Sequence, residues 1–126
     1  MSLLIEAVKR SALGPVQIKS PDTITGRYSF SDDFLGFSGH FPGYPILPAV
    51  VQLIAAQCLI EEQKGRKIEL SALQNAKFLH EIRPNNEILI QCADCQIKEQ
   101  PGSKIQIYSG DKIAASFLMI FQDKGN

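Results

Sequence analysis

Residues 37–48, Phe-Ser-Gly-His-Phe-Pro-Gly-Tyr-Pro-Ile-Leu-Pro, decide the fold, and the apolar segment 49–60, Ala-Val-Val-Gln-Leu-Ile-Ala-Ala-Gln-Cys-Leu-Ile, follows without a break. Each proline fixes its own φ and restricts the residue before it, while the glycines permit turns, so this loop costs little entropy to order. The loop presents one imidazole, His40, at the start of the most hydrophobic segment of the chain. That arrangement indicates a functional site; the alternative is a purely structural turn.

The composition favours one globular domain spanning residues 1–126. Apolar residues make up 44% of the chain and charged residues 21%, enough for a packed core. Thirteen basic and thirteen acidic side chains give no net charge, which argues against a nucleic-acid or anionic-membrane surface. The longest apolar segment is too short to cross a membrane.

The cellular compartment is predicted from the cysteines and the N-terminus. Three cysteines, an odd number in a chain with a good core, fit reduced thiols better than a disulfide framework. The first residues lack the basic start and long apolar region of a secretory signal. We therefore expect a cytoplasmic protein.

Periodicity along the chain predicts a short helix, two strands, a long loop, a central helix and four strands. The predicted helices are 2–12 and Ala49–Lys64; the predicted extended segments are 16–18, the stretch from Thr23, 68–82, 87–97, 104–108 and 113–121, with turns at 84–86, 101–103 and 109–111. The second helix is apolar nearly all round, so we expect it to be buried on all sides. The expected fold class is α+β, one antiparallel sheet wrapped around a long central helix.

The motif Gly39-His40-Phe41-Pro42-Gly43, continued by Pro45-Ile46-Leu47-Pro48 and a hydrophobic helix, resembles the signature of the hotdog-fold 3-hydroxyacyl-[acyl-carrier-protein] dehydratases. Residues 75–78 and 82–87 are similar to the strand and turn that follow the helix in that family. The segment Val50-Val51-Gln52-Leu53 resembles a dehydratase-like branch associated with aryl-polyene and related lipid clusters. The similarity runs from about residue 15 to the end of the chain.

The resemblance implies a homodimer, or an assembly of dimers, with an acyl tunnel between subunits and no cofactor. His40 would remove the α-proton of a 3-hydroxyacyl thioester carried by acyl-carrier protein or coenzyme A. Backbone amides at the start of the central helix would polarise the thioester carbonyl. Five residues are expected to contact the substrate: Gly43, Tyr44, Ala49, Val50 and Ile54.

Two positions depart from the family pattern. The helix Glu or Asp of the family, which helps the hydroxyl leave, aligns with Ile54, and isoleucine donates no proton. Ala49 stands where the family usually has glycine, and its methyl narrows the approach to the helix amides.

These departures leave three functions open. The first is dehydration with His40 as base. The second is an acyl-thioester-binding or partner subunit with impaired catalysis. The third is a thioesterase, ranked last because no carboxylate that could activate water is evident near the helix.

Two further features receive structural interpretations. His80 is expected at the surface near the end of a strand, with a role at the tunnel mouth as the alternative. Cys92 and Cys95 have C-x-x-C spacing but point to opposite faces of a strand, and no second pair completes a zinc site.

Overall fold

The computed structural model describes residues 2–37 and 43–125 and has a six-stranded antiparallel sheet with one long helix against it. Its elements are α1 (Ser2–Arg10), β1 (Gln17–Ser20), β2 (Thr23–Ser29), a 3-10 turn (Leu35–Phe37), α2 (Ala49–Lys64), β3 (Lys67–Phe78), β4 (Glu87–Ile97), β5 (Gln100–Ser109) and β6 (Lys112–Gly125). The strand order is β1-β2-β4-β5-β6-β3, so the chain crosses to the far edge of the sheet after α2. The predicted α+β class, with an antiparallel sheet and a central helix, is confirmed.

The core lies between α2 and one face of the sheet. Alternate residues of the central strands are buried there, as the period of two predicts. Ile90, Ile105 and Ile107 have no exposed surface, and Leu59 of α2 is 1% exposed. Leu59 packs directly over β2, where a Cβ built on Gly26 would lie 2.6 Å from Leu59 Cδ1.

Helix α2 begins and ends where the sequence predicts. Pro48 takes the N-cap position with φ −65° and ψ 152°, and its own side chain makes no capping hydrogen bond. Gly65 takes the left-handed conformation at the other end, with φ 71°, and its N–H donates to the Glu61 carbonyl. Within the described part of the chain, no helix is long and apolar enough to cross a membrane.

The expectation that α2 is buried on all sides is wrong for the isolated chain. Val50 is 51% exposed, and Leu53 and Ile54 are half-buried. The sheet covers only one side of the helix, and α1 contacts it as well. An apolar stripe of α2 therefore faces outward.

The predicted turn at 101–103 is also wrong. Pro101 and Gly102 lie inside β5, paired with Gln96 and Cys95 of β4. The turn comes earlier, at Lys98 and Glu99, whose φ angles of 51° and 68° are those of a two-residue hairpin loop. Gly102 is needed for close packing, because a Cβ there would lie 2.7 Å from the Met119 carbonyl oxygen of β6.

The two edges of the sheet differ in length and character. Strand β1 has four residues, whereas β3 has twelve, almost all of them exposed. β3 ends at Phe78, so residues 79–82 of the predicted extended segment continue outside the sheet. Leu70, Leu73 and Phe78 are between 37% and 44% exposed along this edge. A long apolar edge is a template for pairing with another chain.

Candidate functional site

The described residues on both sides of the histidine motif are firmly held. On one side, Phe37 is buried, and its ring meets the Phe34 ring edge-on with centroids 5.5 Å apart. On the other side, the Leu47 N–H donates to the Ile82 carbonyl at 2.8 Å. His40 itself lies outside the described residues, so its role as the base stays a prediction.

Gly43 and Tyr44 follow the motif. Gly43 has φ 82°, a conformation that residues other than glycine rarely adopt. The Tyr44 hydroxyl donates to Glu81 Oε1 at 2.7 Å, and the Arg83 guanidinium carbon lies 3.8 Å from the centre of the Tyr44 ring. These two contacts attach the loop after the motif to the connection between β3 and β4.

A cavity of about 350 Å³ opens at the start of α2. The helix side contributes Pro48, Ala49 and Gln52, and the opposite wall is formed by residues 78–82. Of the five predicted substrate contacts, Ala49 lines this cavity. Val50 and Ile54 lie on the outward stripe of α2 instead, and their contact with substrate stays a prediction.

His80 lines the same cavity, although it was expected at the surface near the end of a strand. It is indeed exposed, but the backbone N–H groups of Leu79 and His80 both donate to the Ala114 carbonyl, which holds this segment beside the helix. The tunnel-mouth alternative for His80 therefore fits its position. The sequence does not predict that residues 78–82 form a wall of this cavity, because their position beside α2 follows from the place of β3 at the far edge of the sheet.

The backbone at the start of α2 has unpaired donors. The N–H groups of Val51 and Gln52 donate to the Pro48 carbonyl, at 3.1 Å and 3.3 Å. The N–H groups of Ala49 and Val50 have no acceptor among the described residues. Free N–H groups at a helix N-terminus carry partial positive charge and suit a carbonyl oxygen that becomes negative during a reaction.

Gln52 adds a side chain to this set. It is 5% exposed, and its Nε2 donates to the Leu47 carbonyl at 3.3 Å. Its Oε1 is buried and has no hydrogen-bond partner among the described residues. The cavity wall therefore combines the backbone donor of Ala49 with the side chain that carries this buried acceptor.

A larger cavity, of about 570 Å³, lies at the opposite end of α2. Tyr28 and Cys58 line it together with Glu61 and Glu62. Burial raises the pKa of the Cys58 thiol and of the Tyr28 hydroxyl, so neither ionises near neutral pH. This cavity is the larger of the two, but its described residues include no activated nucleophile. Its size is therefore no reason to regard it as the reactive site.

The two cysteines of the C-x-x-C pair differ in burial, as expected for opposite faces of a strand. Cys92 is buried and Cys95 is partly exposed, and both are free thiols, like Cys58. Burial raises the pKa of Cys92 to about 12. Cys92 is thus a core residue.

Comparison with known proteins agrees with this architecture. The family model of the ApeI-like proteins, described as ApeI dehydratase, matches residues 16–116. The 3-hydroxyacyl-[acyl-carrier-protein] dehydratase FabZ of Levilactobacillus brevis is 30% identical over 107 residues, covering 79% of this chain and 71% of the relative. FabZ of Fusobacterium nucleatum is 27% identical over 113 residues, covering 83% of this chain and 80% of the relative.

Solved structures share the fold. The dehydratase heterocomplex ApeI:P from Xenorhabdus doucetiae superimposes with a TM-score of 0.72 at 17% identity, over 87% of this chain and 95% of the other. The E. coli PaaI protein of the phenylacetic acid degradation operon gives a TM-score of 0.68 at 12% identity, over 96% and 88%. These likenesses establish a hotdog fold. Since the family model also matches most of its length, the chain belongs to the ApeI-like dehydratase family.

Proposed function

We propose that this chain removes water from a 3-hydroxyacyl thioester, carried by acyl-carrier protein or coenzyme A, to give the trans-2-enoyl thioester. The observation that carries the proposal is the start of α2. There, the Ala49 N–H has no acceptor among the described residues, and Ala49 lines the cavity that follows the histidine motif in the chain. Family membership and the FabZ relatives support the same reaction.

The chemistry assigns a role to each part. His40 takes the α-proton, the electron pair forms the double bond between C2 and C3, and the hydroxyl leaves from C3 with a proton as water. The α-proton is weakly acidic, so its removal needs a base with a pKa near neutral and stabilisation of the enolate-like oxygen. We assign that stabilisation to the N–H groups of Ala49 and Val50, which have no acceptor among the described residues.

The proton for the departing hydroxyl needs another source, because Ile54 replaces the acid of the family. We propose that water or a polar group of the cavity supplies it slowly. Introducing a carboxylate by Ile54→Glu should then raise the dehydration rate by about 10-fold or more, in the range of general acid catalysis. Ile54→Gln is the matched control, since it adds a polar group of similar size that is no acid. Equal rates for both variants would contradict the proposal that the missing acid limits the reaction.

We propose a homodimer as the working unit, located in the cytoplasm. The apolar edge of β3 and the outward stripe of α2 support the dimer, because both are suited to burial against a second copy. The free cysteines support a reducing compartment. Light scattering should give twice the mass of the 13.9 kDa chain. Leu73→Lys, on the β3 edge, should shift that mass toward the monomer.

A second candidate is an acyl-binding or partner subunit with little activity of its own. The observation that favours it is the position of Ile54 on the outward stripe of α2, where a related partner chain could bring the missing carboxylate. The resemblance to a dehydratase heterocomplex supports this alternative. It predicts that turnover appears only when a related chain carrying the carboxylate is added.

The test is a time course of 3-hydroxyacyl thioester converting to enoyl thioester, with the unaltered protein beside His40→Ala. We expect turnover that falls by about 100-fold or more in the variant, as for loss of a general base. Turnover that is unchanged in His40→Ala would overturn the assignment of the base. Binding without turnover by the unaltered protein would favour the partner-subunit function.

A further inference from the structure

We propose that Gln52 recognises the 3-hydroxyl group of the substrate through its carboxamide oxygen, and thereby selects 3-hydroxyacyl chains over saturated and enoyl chains. This inference rests on the proposed function, since it places the acyl thioester in the cavity at the start of α2. It assigns that cavity a specificity-determining side chain in addition to its backbone donors.

The orientation of the Gln52 carboxamide is set by its surroundings. Nε2 donates to the Leu47 carbonyl at 3.3 Å, and the reversed orientation would bring two oxygen atoms together. Leu47 is itself held by the hydrogen bond from its N–H to the Ile82 carbonyl. The amide nitrogen therefore points at Leu47, and the oxygen is the atom left over.

That oxygen lacks a partner among the described residues, although a buried acceptor normally requires one. Gln52 is 5% exposed and lines the cavity, and its Oε1 accepts no hydrogen bond from any described residue. A buried acceptor without a donor carries a desolvation cost, and most such groups in proteins are satisfied. A carboxamide oxygen can only accept, so the missing group is an O–H or N–H donor.

The substrate supplies the matching pair of groups. A 3-hydroxyacyl thioester has an acceptor, the carbonyl oxygen, and two carbon atoms farther along a donor, the 3-hydroxyl. The cavity wall carries a complementary donor, the N–H group of Ala49, and the residue with the acceptor, Gln52; the N–H group of Val50 is the next one along the helix. Gln52 lies two positions after Val50 and three after Ala49, which is about 3 to 4.5 Å along the helix axis. A saturated or enoyl chain has no hydroxyl and would leave the oxygen unpaired.

Recognition of this kind also assists turnover. The reaction removes the group that Gln52 binds, so the product loses a hydrogen bond that the substrate has. The enoyl product should then bind more weakly than the substrate and leave the site.

The test measures binding, with ligands that do not react. Amide analogues of acyl pantetheine, in which NH replaces the thioester sulfur, keep the carbonyl but have a far less acidic α-proton. We would compare 3-hydroxyhexanoyl, hexanoyl and 3-methoxyhexanoyl analogues by calorimetry on the full chain. The unaltered protein should bind the hydroxy analogue about 10-fold or more tightly than the other two, because both lack the donor.

The variant Gln52→Met keeps the length of the side chain and removes the acceptor. Its preference for the hydroxy analogue should fall to within about twofold, while a merely structural role would weaken all three ligands alike. Gln57→Met is the matched control on the same helix, since Gln57 donates to the Ile68 carbonyl and does not line the cavity. It should keep the full preference.

An unchanged preference in Gln52→Met would overturn the inference. If that variant does not fold, the affinities of the unaltered protein for the 3-hydroxy and 3-methoxy analogues provide the test, because a methyl ether accepts a hydrogen bond but cannot donate one. Equal affinity for the hydroxy and methoxy analogues would then overturn it. A preference for hydroxyl without turnover would refute the proposed reaction and leave the recognition standing, whereas turnover without the preference would refute the recognition alone.

Discussion

The two ends of helix α2 differ in how their polar groups are satisfied. At the C-terminal end, Glu61 Oε2 accepts from the Ile68 N–H at 3.0 Å and from Gln57 Nε2 at 3.3 Å. Glu62 Oε2 accepts from the Val16 N–H at 3.1 Å. At the N-terminal end, Pro48 provides no side-chain cap, and the Gln52 oxygen has no partner among the described residues.

This difference indicates where a ligand is needed. Polar groups at the C-terminal end bond to one another, to strand β3 and to Val16 before β1, so that end stabilises the fold. Among the described residues, polar groups at the N-terminal end remain without partners, and two of their residues, Ala49 and Gln52, line a cavity. Unsatisfied buried groups tend to occur where function requires them. The smaller cavity is therefore the better candidate. Two predictions test this division, and a third tests the burial of Cys92 in the core.

The largest effect on stability is expected from Leu59→Ala in the C-terminal half of α2. Leu59 is 1% exposed, so its truncation should lower the free energy of unfolding by about 3 kcal/mol. Chemical denaturation measures this loss. Below the unfolding transition, the preference for the hydroxy analogue should remain. Ile18→Ala is the control, since Ile18 is 67% exposed on β1, away from the proposed dimer surfaces, and it should cost about 1 kcal/mol or less. A loss of ligand preference in folded Leu59→Ala would contradict the assignment of stability to one end of α2 and ligand binding to the other.

A smaller loss, about 2 kcal/mol, is expected from Glu61→Ala. The buried Ile68 would lose the acceptor of its backbone N–H, and unpaired buried donors cost about 1 to 3 kcal/mol. Glu61→Gln keeps an acceptor oxygen and should retain more than half of the stability lost in Glu61→Ala. Thermal unfolding of both variants checks the difference. Equal stability of the two variants would show that the hydrogen bond contributes nothing.

The smallest effect is a loss of stability at alkaline pH. Burial raises the pKa of Cys92 from 9.0 to about 12, so the unfolded chain releases this proton first. The stabilisation is complete below pH 9 and is lost as the pH rises toward 12. The loss is about 1.4 kcal/mol by pH 10, and the slope is at most about 1.4 kcal/mol per pH unit.

The measurement is denaturation between pH 8 and pH 10.5. Cys92→Ala is the control, and it should flatten this part of the profile. Cys58 and Tyr28, whose pKa values burial also raises, should leave a residual slope. An identical profile for Cys92→Ala would contradict the role of Cys92.

Much of the fold could be predicted from local patterns. The bounds of α2 follow from Pro48 and Gly65, and those of β4 from alternation between Glu87 and Ile97. The hairpin at Lys98 and Glu99 could not be predicted, because neither residue type ordinarily favours positive φ. Gly102 was mistaken for a turn residue because a sequence does not show that a neighbouring strand approaches within contact distance.

The candidate site was predicted only in part. The motif and the helix start are local, so Ala49 could be placed beside a cavity. The position of the opposite wall, residues 78–82, depends on the chain crossing to the far edge of the sheet between α2 and β3. The unpaired oxygen of Gln52 depends on side-chain geometry that no spacing rule supplies. The outward position of Ile54 depends on how far the sheet extends over α2.

The most direct measurement is a nitrogen-15 NMR titration of the full chain with the 3-hydroxyhexanoyl amide analogue. We predict that the backbone signals of Ala49 and Val50 and the side-chain amide signal of Gln52 shift, while those of Glu61 and Gly65 stay unchanged. Shifts confined to the surroundings of Tyr28 and Cys58 would place the ligand in the larger cavity and contradict the assignment of the N-terminal end of α2.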